Sequence, residues 1–191
     1  MCATADESAA RSATWPKTGD WSRARRCCSM VAPRRRRVAC GLTLPPLPSA
    51  DDKALTHVGS EGAHLSRSPG EHQNDSRKSF YNRAIEIVAG EKLSPFVRAV
   101  MAAVATGLVT NLGTQGIGYI NGDLTVGLAR LQVGEWIGVQ GDSHWASDGV
   151  AVGTATLFDL SGAFGSGMTT AVSNPAAQID FANDPFPLRI G

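Results

Sequence analysis

Asn121-Gly122-Asp123-Leu124-Thr125-Val126, Val133-Gly134-Glu135-Trp136-Ile137-Gly138, Asp148-Gly149-Val150-Ala151-Val152-Gly153-Thr154-Ala155 and Leu157-Phe158-Asp159-Leu160-Ser161-Gly162 follow one another between Asn121 and Thr170. Ile120, Leu124, Val126 and Leu128 alternate, with Gly122 interrupting them, which predicts a half-buried strand over Tyr119 to Leu131 with a bulge at Gly122. Gln132 to Glu135 turns the chain, Trp136 to Gln140 rises again, and Gly141 to Gly149 holds the next reversal. Val150, Val152, Thr154, Thr156 and Phe158 share one face of a further strand. Asp159 to Gly162 is a tight turn, and Ala163 to Val172 completes an antiparallel meander.

Working outward, an apolar helix stands just before the meander. Ser94 can cap exposed amides, and Pro95 at the first helical position forfeits no hydrogen bond. Phe96, Val97, Val100, Met101, Val104 and Leu108 recur at three- and four-residue steps, while the opposite side is mostly Ala99, Ala102, Ala103 and Ala105. The expectation is that the large residues, Met101 and Val104 among them, form the core beneath a sheet, with Gly107 and Gly113 bracketing the helix end. Before it, Phe80 to Val88 reads as a first strand and Ala89 to Lys92 as a turn.

The chain of 191 residues suffices for one domain and a tail, and its formal charge of +1 gives no overall bias toward nucleic acid or acidic membranes. The average hides a break near Lys78. Residues 1–78 carry 13 Lys/Arg against 8 Asp/Glu, and residues 79–191 carry 5 against 9. Residues 1–78 sustain neither periodicity, so they read as a low-complexity, disordered tail that buries too little to offset its chain entropy. Arg34-Arg35-Arg36-Arg37 is open to two readings, a nucleic-acid arm or a solvated charge block. A third reading is that the segment is not a selected part of the protein, through a misassigned start or a shifted reading frame. Cys2, Cys27, Cys28 and Cys40 all lie there, without C-x-x-C or zinc-finger spacing, so neither a metal nor a disulfide framework is expected. No apolar run approaches a membrane span, and no secretory h-region follows the first basic residues. The expectation is a cytoplasmic protein without a cofactor. Residues 175–191, with Pro175, Pro185 and Pro187, read as an extended tail.

Four features, in order, carry a resemblance: Gly90-Glu91 followed by Leu93-Ser94-Pro95-Phe96; Asn121-x-Asp123-Leu124-Thr125-Val126 ending in Arg130; Gly134-Glu135-Trp136-Ile137; and the Asp148-Gly149 and Asp159-to-Gly162 turns. Together they resemble the C-terminal half of the acyl-CoA thioesterase II-like family of double-hotdog proteins. The resemblance implies an α+β fold over residues 79–174: a single hotdog domain, a central helix wrapped by an antiparallel sheet. It also implies an acyl-CoA site between two hotdogs. No first hotdog is recognisable in residues 1–78, so the domain is expected to form a homodimer or to pair with another hotdog chain.

That family uses an Asp on the central helix, a Ser/Thr at the start of the second strand and a Gln on the last strand. The Asp position falls beside Ala103 and Val104, the Ser/Thr position at Asn121, and the Gln position at Thr169 or Thr170. None carries the family's residue. Asp123 is either a strand-end carboxylate or a substitute base. His144, beside Trp145, reads as a surface loop residue, and no G-x-S-x-G elbow or phosphate loop is present. The candidate site is therefore Asn121, Asp123, Thr169 and Thr170. The implied function is a thioesterase-like hydrolase of fatty acid metabolism that binds or weakly hydrolyses fatty acyl-CoA thioesters. The alternative is a non-catalytic subunit or truncated relic.

Overall fold

The computed structural model describes residues 43–83 and 87–183. Among these, seven strands form one antiparallel sheet: β1 (Thr56–Ser60), β2 (Lys78–Arg83), β3 (Tyr119–Asn121), β4 (Thr125–Leu128), β5 (Trp136–Ser147), β6 (Val150–Asp159) and β7 (Gly162–Ser173). The order is β1-β2-β5-β6-β7-β3, with β4 also on β7. A helical rod in two segments, α1 (Pro95–Ala103) and α2 (Thr106–Asn111), packs on one face. This is the hotdog arrangement, a helix against a curled antiparallel sheet.

The rod begins where capping requires it. Ser94 Oγ accepts a hydrogen bond from the Val97 amide at 3.2 Å, and Pro95 occupies the first turn. The rod does not end at Gly107. Its turn tightens at Val104–Ala105, where the Gly107 amide bonds the Val104 carbonyl, and it then runs on to Asn111.

The face it buries is the reverse of the expected one. Ala99, Ala102 and Ala103 are buried against Ile137, Val139, Ala155, Leu157 and Phe164, whereas Phe96 and Val104 are 59% and 57% exposed. Met101 is also at the surface. The physical reason is the size of the sheet side chains that face it. Under α1 the sheet presents Ile137, Val139, Leu157 and Phe164, which leave room for alanine on the facing side of the helix. Under α2 the sheet comes closer: a Cβ on Gly153 would strike the Thr110 side chain, and one on Gly167 would strike Thr106. The bulky face of α1 turns outward.

The meander follows the expected order, with two changes. β5 is continuous through Gly141, where the register with β6 shifts, so the reversal shrinks to Asp148-Gly149. Both residues have positive φ, 50° and 81°, the geometry of a two-residue hairpin turn. This places His144 within β5 rather than in a loop, its ring edge-on to Tyr119 at 5.8 Å. The strand expected over Tyr119 to Leu131 is two strands, β3 and β4, which pair with successive parts of β7 and are separated at Gly122–Leu124.

The sheet also begins before Lys78. β1 pairs with β2 over Thr56–Asn82 to Ser60–Lys78, so part of the segment read as tail belongs to the fold. Residues before and after β1 cover the other face of the sheet: Leu44, Leu47 and Leu65 pack on Tyr81, Trp136 and Phe158, and the Trp136 indole N–H donates to the Ser49 carbonyl at 3.2 Å. Short polar strands such as Thr56–Ser60 gain their structure from pairing, which no local pattern announces. The four cysteines and Arg34–Arg37 lie outside the described residues. The first strand, expected over Phe80 to Val88, is Lys78–Arg83; residues 84–86 are not described, and Ile87 and Val88 are exposed. Beyond β7 the described residues, 174–183, fold back instead of extending; the rest of the expected tail, with Pro185 and Pro187, lies outside the described residues. Ile179 bridges Ile117, and Asp180 Oδ1 accepts from Gln73 Nε2 at 3.0 Å. Bonds from Asn183, Gln73 and Ala182 hold the Asp180 carboxyl down at about 2. No helix among the described residues is long and apolar enough to cross a membrane.

Candidate functional site

A cleft of about 390 Å³ opens where the rod crosses β2 and β3. Its walls are mainly Phe80, Met101, Val104, Leu108, Ile117 and Tyr119, and Asn82 and Asn121 supply its amides. No carboxylate, histidine, cysteine or lysine is among the described residues that line it. An apolar trough with a few convergent polar groups suits a ligand with a long apolar part and one polar feature to be held.

Asn121 ends β3, opposite Ala171 of β7. Its amide lies flat on α2 because residue 107 is glycine; a Cβ there would overlap the amide itself. From the same helix Asn111, 8% exposed, donates through Nδ2 to Asn121 Oδ1 in a long bond of 3.4 Å. Sequence reasoning missed both Gly107 and Asn111. The available signal was an amide one turn beyond a glycine, Gly107 to Asn111.

The other three candidates gather beside Asn121 without lining the cleft. In the gap between β3 and β4, Asp123 Oδ1 accepts from the Thr170 amide at 2.8 Å, and the Asp123 carbonyl accepts from Thr169 Oγ1 at 2.7 Å. The Gly122 amide donates to the Thr170 carbonyl at 2.8 Å. These bonds carry the ladder across the interruption. They commit the Asp123 carboxylate to a backbone donor and turn the buried Thr169 hydroxyl inward. Val104 reaches the cleft and Ala103 is fully buried in the core, so no carboxylate stands at the helix position where the resembled family has one.

Arg130 and Asp159, taken from two of the motifs, meet at the far end of β4. Two parallel bonds, 2.6 and 2.7 Å, join guanidinium and carboxylate, and the Val133 and Ser161 amides add bonds of 2.6 and 2.7 Å. Burial alone would raise the Asp159 carboxyl, but these bonds and the Arg130 charge prevail and hold it below its ordinary value. The pair is structural: it pins the loop after β4 to the β6–β7 turn.

A second cleft, of about 290 Å³, lies at the C-terminal end of α2 and is lined by Lys78, Thr110, Asp142, Ser143 and His144 among others. Burial raises the Asp142 carboxyl against the lowering effect of the Thr156 hydroxyl, which donates to it at 2.8 Å, and of the Arg77 charge. Burial lowers the Lys78 ammonium, which donates to the Asn74 and Ser76 carbonyls. No group of three or more potential metal ligands occurs among the described residues.

A helix on a curled antiparallel sheet with an apolar cleft beside it defines the hotdog class of fold. The chain belongs to the acyl-CoA thioesterase C-terminal domain family, whose model matches residues 42–172. Comparison with curated proteins found no match. Among solved structures it is similar to zebra fish thioesterase superfamily member 2, at 13% identity over 61% of this chain and 81% of that one, with a TM-score of 0.42. A protein from Shewanella oneidensis related to the thioesterase superfamily is similar at 18% identity over 51% and 76%, with a TM-score of 0.40. A hypothetical thioesterase protein with coenzyme A from Streptococcus pneumoniae is similar at 9% identity over 61% and 85%, with a TM-score of 0.41. Likenesses this distant transfer no residue roles.

Proposed function

We propose that this protein binds fatty acyl-CoA or a related thioester in the cleft beside Asn121, with weak or absent hydrolysis. The observation that carries the reading is the pairing of apolar walls with the Asn121 amide, at the position where the resembled family places its Ser/Thr. Thioester hydrolysis needs a base for water and donors for the developing oxyanion. The cleft offers amide donors, while Asp123, the nearest candidate base in the sequence, is bonded to the Thr170 amide. Titration with octanoyl-CoA, followed by calorimetry and by thiol release, tests this. The expected result is binding that weakens in Asn121→Ala, with thiol release near background. Absence of binding would end the reading.

A second reading, pairing with another hotdog domain as a homodimer or a subunit, is favoured by the outward apolar face of the rod. Phe96, Val97, Met101 and Val104 stand exposed there, with Ile120 of β3 also exposed. A stable monomer in sedimentation at micromolar concentration would remove it.

A further inference from the structure

We propose that Asn111 is a positioning residue that fixes which edge of the Asn121 amide a ligand meets, so that Asn121 donates its N–H to the carbonyl oxygen of a bound thioester. This rests on the reading of the cleft as an acyl-thioester site. A primary amide is two-faced, with an acceptor oxygen and a donor nitrogen on nearly identical outlines. Asn121 alone could present either edge to the cleft. Asn111 does not line the cleft and is almost wholly buried at the end of α2. Its Nδ2 donates to Asn121 Oδ1, which turns the oxygen toward Asn111 and away from the cleft and leaves the Asn121 nitrogen over Gly107, which lines the cleft. Gly107 allows this by letting the amide lie against the helix backbone. A carbonyl accepting from Asn121 polarises the amide and strengthens the bond from Asn111, so the long 3.4 Å contact tightens when the cleft is filled. The group thus recognised is a neutral acceptor. A thioester carbonyl provides one, and a thioether does not.

The test compares octanoyl-CoA with its S-octyl thioether, which keeps the chain, sulfur and nucleotide but lacks the oxygen. One neutral hydrogen bond predicts that the intact protein prefers the thioester by roughly two- to tenfold. Asn111→Leu removes the donor, frees the amide to present either edge, and should shrink the preference by about twofold while thioether affinity stays within about twofold. Asn111→Asp, which only accepts, should turn the Asn121 nitrogen toward residue 111 and the oxygen toward the cleft, and reverse the preference. It serves as the second probe should the Leu variant fail to fold. Equal affinity for both ligands in the intact protein, or a preference that survives in Asn111→Asp, overturns the inference and leaves the acyl-thioester reading standing. No binding of either ligand overturns that reading and this inference with it.

Discussion

Arg130 grips Asp159 through two parallel bonds, and the carboxylate is fully buried while the guanidinium is one-third exposed. The two residues lie on separate motifs, yet the contact joins them into one corner of the sheet. Removing Arg130 leaves a buried carboxylate whose remaining partners are two backbone amides. Arg130→Met is therefore expected to lower unfolding free energy by about 3 kcal/mol in urea titration, the scale of a broken buried ion pair. Because the folded Asp159 value lies below its unfolded value, its contribution is full above about pH 4 and lost as pH falls through the folded value. Asp159→Asn should flatten that acid limb.

His72 predicts a separate loss nearer neutrality. It is buried, with Nδ1 3.0 Å from Ser60 Oγ and Nε2 3.1 Å from Ser66 Oγ. Burial, aided by the Lys78 and His64 charges against that of Glu71, holds it below its ordinary value, so the unfolded chain takes up the proton first. Stability from neutral His72 is complete above about pH 6.5 and declines as pH falls through the folded value. The midpoint of urea unfolding should drop between pH 7.5 and pH 5, with a smaller drop in His72→Gln.

Gly107→Ala separates binding from folding. The nearest neighbours of the new Cβ are the amide atoms of Asn121, which can swing away, and alanine is the better helix former by up to about 1 kcal/mol. Thermal stability should hold or rise, while octanoyl-CoA affinity falls by up to about tenfold as the amide is displaced.

The inverted rod makes opposite predictions for its two faces. Ala103→Leu forces bulk between rod and sheet and should cost about 1–3 kcal/mol by denaturant titration. Phe96→Ser on the exposed face should change monomer stability by less than about 0.5 kcal/mol and weaken any self-association seen by sedimentation.

Leu44 and Leu47 tie the upstream segment to Trp136, Tyr81 and Phe158. The double change to alanine at both positions should lower unfolding free energy by about 2 kcal/mol, since each leucine is only partly buried and loses less than a core residue would. An unchanged denaturation midpoint would show that the second core contributes nothing.

The sequence by itself determined the helix start, the hairpins and the order of the meander. Ser94-Pro95, Asp148-Gly149 and Asp159-to-Gly162 act through their own backbone chemistry, over spans of a few residues. The motif residues also marked Asn121 as the group beside the cleft. Tertiary structure alone decided which side of the rod is buried. Periodicity locates an apolar stripe, but Ile137, Val139, Leu157 and Phe164 on the sheet leave room only for the alanine side of α1. β1 likewise exists through its ladder with β2, and Asn111 meets Asn121 only because β3 lies beside α2. Such contacts depend on distances between elements, and a linear pattern does not contain them.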